Sequence, residues 1–162
     1  MTLTHINQEG RARMVDVSDK MITKRIAKAQ AVITMNKETL TRILTGGTKK
    51  GDVMQIAQVA GIQGAKLTHQ LIPMCHALQL THVDLSFQED FENNTLTIVS
   101  TVITEAKTGV EMEAFTSVNI AALTVYDMCK SIDQTMRIDG IYLLHKSGGK
   151  TLFNHPMHKE NL

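Results

Sequence analysis

Residues 79–104 decide the fold, and they read QLTHVDLSFQEDFENNTLTIVSTVIT. Apolar and polar residues alternate in the first half of this stretch, as they do in a half-buried strand. Three apolar side chains then share one face of that strand: Val83, Leu85 and Phe87. A second β-prone run covers 96–104, and the polar residues 90–94 between the two runs are typical of a turn between antiparallel strands. The sequence therefore predicts a β-hairpin at the centre of the chain.

Helices and further strands flank this hairpin on both sides. Upstream, a β-prone run at 31–35 precedes a short helix that ends at Gly46 and a second helix over 53–73. Downstream, apolar residues at steps of three or four predict the longest helix over 109–134. A last strand is predicted over 136–146, interrupted near Asp139-Gly140 by a turn or bulge. The order β, α(α), β, β, α, β predicts an α+β, ferredoxin-like fold, with a four-stranded antiparallel sheet and helices packed on one face.

The length of 162 residues is that of a single domain. Residues 1–28 are polar and charged, and we expect them to form an arm with little core of its own. Residues 148–162 are expected to form a polar tail. The predicted strands carry apolar or Thr-rich residues on both sides, so the face of the sheet that lacks helices needs a cover, and an oligomer interface is the simplest one.

Charge and composition exclude several classes of protein. The chain has 17 Lys and Arg against 16 Asp and Glu, and its formal net charge is +1, whereas proteins that bind nucleic acid through its phosphates carry an excess of cations. Aromatic residues make up 4% of the chain, so stacking platforms for bases are not expected. The apolar runs are shorter than the ~20 residues of a membrane helix, and residues 1–20 lack the apolar centre of a signal peptide. We expect a cytoplasmic protein that binds neither nucleic acid nor membranes.

The two cysteines, Cys75 and Cys129, stand alone without CxxC spacing, so neither a disulfide framework nor a structural zinc site is predicted. Cys75 is followed by His76, but neighbours on an extended segment point to opposite faces, which disfavours a Cys–His nucleophile. His76 is a candidate acid, base or phosphate ligand, and an ordinary hydrogen-bonded histidine is the commoner alternative. His155 and His158 lie three residues apart in the polar tail, where we expect solvated side chains rather than a metal site.

Two basic runs with glycines raise the question of phosphate binding: TKKGD at 48–52 and SGGKT at 147–151. Neither is a Walker A loop, because Gly51 is followed by Asp52 and because Leu144 stands where the first Walker glycine is needed. A loop of this kind before a helix can hold phosphate oxygens. By spacing alone, a solvated basic turn is the favoured interpretation of both runs.

The long helix carries the sharpest pattern. Its periodicity places Asp127 and Lys130 within ~60° of each other on the face that points away from the core. A surface ion pair is the usual interpretation, whereas in a cleft the same pair could move protons. Glu111 and Glu113 lie at the other end of the helix, and about 21 Å separate Glu113 from Asp127. Either only one end is functional, or an active site is assembled between two chains.

Five motifs follow one another along the chain, at 50–53, 60–66, 71–76, 107–114 and 122–130. In this order they closely resemble the molybdenum cofactor biosynthesis protein C family, and the similarity extends from residue 4 to residue 150. The resemblance implies a lyase that converts 3′,8-cyclo-7,8-dihydroguanosine 5′-triphosphate into cyclic pyranopterin monophosphate with loss of pyrophosphate. It also implies a ferredoxin-like fold and a homohexamer built as a trimer of dimers, with the sites at dimer interfaces.

The resemblance also implies roles for single residues. Asp127 matches the family's catalytic aspartate, and Lys130 matches its partner lysine. Substrate-binding positions of the family correspond to Lys50, Met74, Cys75, His76, Met112 and Glu113. Further candidates are Arg25, Lys66 and Glu111. No metal ligand is implied, and Mg²⁺ accompanying the triphosphate is the only cofactor that we consider. The family usually has a proline after Cys-His, and Ala77 stands there in this chain, so the pose of His76 is the least constrained.

A second hypothesis is a non-catalytic, oligomeric module that binds a phosphorylated metabolite, because a fold does not fix a chemistry. The position of Asp127 and Lys130 distinguishes the two hypotheses. An enzyme needs this pair in a pocket with Lys50 and His76 of some subunit, whereas a binding module does not.

Overall fold

A computed structural model of the chain describes residues 5–7, 9–46 and 51–156. Its elements in chain order are β1 (Thr23–Thr34), α1 (Lys37–Leu44), α2 (Val53–Leu71), β2 (Leu80–Asp90), β3 (Thr95–Ala106), α3 (Glu111–Cys129), β4 (Arg137–Ser147) and β5 (Phe153–Asn154). The protein is of the α+β class. Its sheet has the order β2-β3-β1-β4-β5, and neighbouring strands are antiparallel.

The predicted hairpin is confirmed as β2 and β3, which pair from Leu80 opposite Thr104 to Asp90 opposite Thr95. Asp90 stabilises the turn because its Oδ1 accepts the backbone N–H groups of Glu92 and Asn93 at 2.9 and 3.0 Å. The turn ends at Asn94, which has a positive φ of 53°. The hairpin therefore forms where the alternation and the polar turn predict it.

The first strand is longer than its sequence predicts. It begins at Thr23 rather than at residue 31, because its charged residues alternate with small buried ones. Ala27 and Ala29 lie fully buried against the helices, whereas Lys28 between them belongs to the opposite face. Because Lys24 and Lys28 lie on one face and small alanines on the other, the buried face of this part of the strand lacks the large apolar residues that would predict it from sequence. The last six residues of the predicted arm therefore belong to the sheet.

The prediction of four strands is wrong, because the tail supplies a fifth. β5 has two residues and pairs with β4 through His145 opposite Asn154 and Lys146 opposite Phe153. The predicted interruption of the last strand is confirmed: the β1–β4 register shifts between Gln30 and Val32, close to Gly140, which has a φ of 57°.

The helices α2 and α3 pack against the face of the sheet that carries the buried side chains of β1 and β3. The two helices approach each other closely at two glycines of α2. A Cβ on Gly61 would lie 3.0 Å from the Ser117 carbonyl oxygen, and one on Gly64 would lie 2.8 Å from Ile120 Cγ1. Since Gly61 is near 117–121 and Gly64 near 116–120, α2 and α3 run antiparallel.

On the other face of the sheet, β3 carries five half-buried side chains: Thr95, Thr97, Val99, Thr101 and Ile103. Together with their neighbours on β1 and β2 they form a surface that none of the described helices covers. None of the helices in the described residues combines the length and the apolar character that are needed to cross a membrane.

Candidate active site

A cleft of about 450 Å³ lies at one end of the two antiparallel helices. We call it the carboxyl cleft. Its lining includes Val15, Met74, Cys75, His76, Met112 and Glu113. It forms because α2 ends at Leu71, before Pro73, and α3 begins at Glu111 on the same end of the helical layer. The structure thus brings together six of the residues that the sequence singles out: Met74, Cys75, His76, Glu111, Met112 and Glu113.

The N-terminal arm covers part of the carboxyl cleft. His76 Nε2 lies 2.9 Å from the carbonyl oxygen of Val15, and because a carbonyl can only accept, Nε2 carries the proton and donates it. Lys107 Nζ donates to the Ser18 carbonyl at 2.5 Å. Cys75 and His76 both line this cleft, in a segment where residues 72–74 bend and residues 75–79 have no regular secondary structure.

Glu113 is a buried carboxyl group, only 4% exposed. Burial raises its pKa to about 7, and the nearby carboxylate of Glu111 adds to this rise. Burial also raises the pKa of the Cys75 thiol, and the proximity of Glu113 adds to that shift. Near neutral pH the cleft therefore offers a thiol and a carboxyl group that exchanges its proton readily, which is the property that acid–base catalysis requires.

The shifted pKa of Glu113 predicts how stability depends on pH. The folded pKa of about 7 lies above the ordinary value of 4.5, so the folded chain holds this proton more tightly than the unfolded chain does. This tighter proton binding adds roughly 3 kcal/mol to the free energy of unfolding below pH 4.5, and that contribution is lost as the pH rises towards 7. Glu113→Gln should remove this dependence and stabilise the protein above pH 7.

Urea unfolding at pH 5 and pH 8, at one protein concentration, measures the effect. Glu92→Gln, in the exposed β2–β3 turn, is the matched control and should follow the wild-type profile. If Glu113→Gln also follows the wild-type profile, Glu113 is ionised in the folded protein throughout this range.

A second depression of about 230 Å³ adjoins the carboxyl cleft, and we call it the basic cleft. Five cations line it: Lys20, Arg25, Lys107, Lys146 and Lys150. Glu111 is the acidic residue among its described lining residues, and its carboxylate pairs with Lys146 at 3.1 Å. Lys20, Glu111 and the 108–109 segment line both clefts. The two clefts therefore form one continuous site with a cationic end.

The backbone builds the basic cleft at two places. Arg25 Nε and Nη2 donate to the carbonyl oxygens of Ala106 and Lys107, each at 3.3 Å, and so hold the β3–α3 connection. Gly148 has a φ of 84°, and a Cβ there would lie 1.8 Å from the Lys24 carbonyl oxygen. Only glycine allows the 147–151 run to pass β1 at this distance.

Asp127 and Lys130 form the predicted ion pair at the other end of α3. Their Oδ1 and Nζ atoms are 2.6 Å apart, and the side chains are 62% and 55% exposed. The hydrogen bond from Lys130 to Asp127 raises the pKa of the lysine. Neither residue lines the carboxyl cleft or the basic cleft. Within one chain, the pair and the two clefts are separate.

The remaining candidates fall in different places. Arg25 and Glu111 line the basic cleft, whereas Lys66 lies on the exposed side of α2 and lines neither cleft. Lys50 and His158 lie outside the described residues. His155 is not solvated as expected but stacks on Tyr142 with ring centroids 4.3 Å apart. In the part of the chain that the structure describes, no group of three or more His, Cys, Asp and Glu side chains is placed to hold a metal ion.

Sequence reasoning missed the other lysines of the basic cleft: Lys20, Lys107, Lys146 and Lys150. Lys150 belongs to the 147–151 run, for which spacing alone favours a solvated turn. The run is indeed exposed, yet it borders a site, because β1 and β4 bring it beside Arg25. One sequence feature could have indicated the basic cleft: the chain has two basic, glycine-containing runs that each adjoin a predicted strand, Lys107-Thr108-Gly109 and Ser147-Gly148-Gly149-Lys150.

Comparison with known proteins assigns the chain to a family. A family model described as the MoaC family matches residues 14–149. The chain belongs to the MoaC family. The matched range includes the Asp127–Lys130 pair and most of the lining of both clefts, with His5, Lys150 and Thr151 outside it.

Curated relatives in the MoaC family are similar to the chain over most of their length. A protein of Thermoanaerobacter sp. is 60% identical over 151 residues, which are 93% of this chain and 96% of the relative. A protein of Listeria monocytogenes is 59% identical over 149 residues, 92% of each chain. One of Clostridium acetobutylicum is 57% identical over 148 residues, 91% of this chain and 92% of the relative. All three are named cyclic pyranopterin monophosphate synthase.

Proposed function

We infer that this chain is a cyclic pyranopterin monophosphate synthase, a lyase that converts 3′,8-cyclo-7,8-dihydroguanosine 5′-triphosphate into cyclic pyranopterin monophosphate and pyrophosphate. The observation that carries this conclusion is the identity of 57–60% to curated enzymes of that name over more than nine-tenths of both chains. The continuous site, with a cationic end and a carboxyl end, supports it from the structure.

The basic cleft is suited to the triphosphate of this substrate. Five cations face one carboxylate there, and clustered ammonium and guanidinium groups neutralise the charge of a departing pyrophosphate. The ion pair between Glu111 and Lys146 gives the free protein an internal counterion, which an incoming phosphate would replace. We therefore propose that Arg25, Lys146 and Lys150 bind the phosphates.

Lys150 is the cleanest position at which to test phosphate binding, because it is exposed at the rim of the basic cleft. Lys150→Gln should weaken the binding of pyrophosphate about tenfold, since one charge-assisted hydrogen bond is lost. Lys37→Gln, at the start of α1 and outside the cleft, is the matched control and should bind as the wild type does. Titration calorimetry at fixed ionic strength measures both, and equal affinities for the two variants would argue against the basic cleft as the phosphate site.

The carboxyl cleft is suited to the ring system of the substrate. Opening the five-membered ring of guanine and building the pyranopterin require protons to move on and off ring atoms. Glu113, with a pKa of about 7, is matched to that task. Met74 and Met112 line the cleft and offer adaptable apolar contact. The Cys75 thiol supplies a hydrogen-bond donor, whereas His76 already donates its Nε2 proton to Val15 and leaves Nδ1 for the substrate.

We further propose that the active site is completed by a second chain. Asp127 and Lys130 match the catalytic pair of the family, yet α3 separates them from Glu113 by about 21 Å. A neighbouring copy that presents its Asp127–Lys130 end to this chain's clefts brings all the groups to one substrate. The uncovered face of the sheet supports association, and the homohexamer built as a trimer of dimers is the arrangement that we propose.

In such a site the roles divide by charge. Asp127 accepts and returns protons, and Lys130, held protonated by its hydrogen bond to Asp127, stabilises negative charge that develops on the substrate. Formation of the cyclic phosphate makes one phosphorus–oxygen bond and breaks another, and the electron pair of the broken bond leaves with pyrophosphate. The cations of the basic cleft stabilise that leaving group.

Incubation of the purified protein with the cyclic nucleotide triphosphate tests the function directly. Pyrophosphate and cyclic pyranopterin monophosphate are expected in equal amounts. Tight binding of the substrate without either product would instead favour the non-catalytic, phosphometabolite-binding module.

Two finer features belong to the same proposal. We infer a ferredoxin-like fold, which is supported by the strand order β2-β3-β1-β4 and by helical connections between strands that are not neighbours. We also infer a cytoplasmic location. The free cysteines Cys75 and Cys129 support it, because thiols persist in a reducing compartment.

A further inference from the structure

Asp133, just after α3, is a carboxylate outside the two clefts whose two oxygens accept four hydrogen bonds. It is 2% exposed. Its Oδ2 accepts the backbone N–H of Asn36 at 2.7 Å and the hydroxyl of Thr39 at 3.4 Å. Its Oδ1 accepts the backbone N–H of Thr135 at 2.9 Å and the Thr135 hydroxyl at 2.6 Å. One side chain therefore holds two segments that are more than ninety residues apart in sequence.

The first of these segments is the start of α1. Asn36 occupies the N-cap position, but its own side chain makes no capping hydrogen bond. The carboxylate of Asp133 accepts the N–H of Asn36 itself and the hydroxyl of Thr39, at the end of the helix where the dipole favours a negative charge. Burial alone would raise the pKa of Asp133, yet the hydrogen bonds from Thr135, Asn36 and Thr39 lower it below its usual range. The group is thus ionised and fixed.

The second segment is the turn that ends α3. Apolar periodicity continues to Ile132, but the helix stops at Cys129, with the N–H groups of Ile132 and Asp133 both donating to the Cys129 carbonyl at 2.8 and 3.0 Å. Lys130 is the C-cap residue of this turn. Where the turn is placed therefore determines where the backbone of Lys130 lies and in which direction its side chain leaves the helix.

We propose that Asp133 is a positioning residue of the reaction: by joining the start of α1 to the turn after α3, it orients Lys130, and with it the Asp127–Lys130 pair, towards the substrate. This inference rests on the proposed function. It assigns no contact with the substrate to Asp133, which acts through the backbone of the turn.

Asp133→Asn tests the proposal while preserving the shape of the side chain. An amide can accept on one side only, so its NH₂ group must face either Asn36 N–H or Thr135 N–H, and one pair of donors loses its acceptor. The turn should shift, and kcat should fall ten- to a hundredfold, as it does when a reacting group is misplaced by about 1 Å. The KM for the substrate and the affinity for pyrophosphate should stay within about twofold, because both clefts lie at the far end of α3.

A general loss of stability is separated from positioning by Val102→Ala, which leaves a cavity in the sheet core. Assayed below its unfolding transition, this control should keep the wild-type kcat per folded protein. If Asp133→Asn lowers the midpoint of unfolding but keeps the same kcat as the control, the positioning role is wrong. If Asp133→Asn does not fold, Thr135→Val is the second variant, because it removes the hydroxyl that donates to Oδ1 of Asp133. We expect Thr135→Val to lower kcat two- to fivefold. An unchanged kcat in this variant also overturns the proposal. Failure of the proposed function is distinct, since the wild type itself would then form no product.

Discussion

Asp127→Asn is expected to abolish turnover while leaving the fold intact. The carboxylate lies on the exposed face of α3, with its Oδ1 2.6 Å from Lys130 Nζ, so the substitution removes no core contact. An amide keeps the size of the side chain but cannot accept and return a proton. General acid–base catalysis contributes about 10²–10⁴-fold, and a loss of kcat in that range is therefore expected, together with a KM near that of the wild type.

The measurement follows pyrophosphate and pterin formation from the purified variant, with thermal unfolding as the check on folding. Asp139→Asn is the matched control, because Asp139 is another carboxylate in a surface ion pair, with Arg137 at 2.7 Å, and lies in β4 away from α3. The control should turn over normally. Near-normal product formation by Asp127→Asn would refute its catalytic role.

Activity is expected to return when two inactive chains are mixed. Glu113→Ala removes the carboxyl group at the start of α3, and Asp127→Asn disables the end of the same helix. If one chain supplies Glu113 and another supplies Asp127, an assembly that contains both variants holds some sites with both groups intact. Random mixing at equal amounts should restore roughly a quarter of the wild-type activity, because each site draws its two ends from chains chosen independently.

Co-expression of the two variants with different affinity tags, followed by purification through both tags, provides the mixed assemblies. Each variant purified alone is expected to be inactive. A pair of variants within one cluster, Asp127→Asn with Lys130→Ala, is the control that should stay inactive on mixing, since every site then lacks one of these two side chains. No recovery in the first mixture would show that each site is built within one chain.

The sequence predicts the elements whose pattern is local. The hairpin follows from strict alternation and a polar turn, and the Asp127–Lys130 pair follows from helical spacing, because each depends on neighbours along the chain. The tail strand β5 has no such pattern. Its two residues form a strand only because β4 offers a free edge to pair with, and pairing across a sheet is set by tertiary context.

The site divides in the same way. The segment 74–76 and the start of α3 can be identified from sequence motifs, but their meeting in one cleft depends on the antiparallel packing of α2 and α3. The basic cleft was not predicted because its cations come from three regions of the chain that only the sheet brings together. The true end of α3 was also missed, since it depends on a carboxylate that bonds to Asn36 across 97 positions of sequence.

The close approach of α2 and α3 has a consequence for the dimensions of the carboxyl cleft. One wall of that cleft continues from α2 and the other begins α3, so the interaxial distance of the two helices sets how far apart Cys75 and Glu113 stand. That distance depends on Gly61 and Gly64, where even one methyl group would collide with the neighbouring helix. Gly61 and Gly64 lie outside the cleft, yet by allowing this interhelical distance they set the width of the cleft and hence the size of ligand that it can hold.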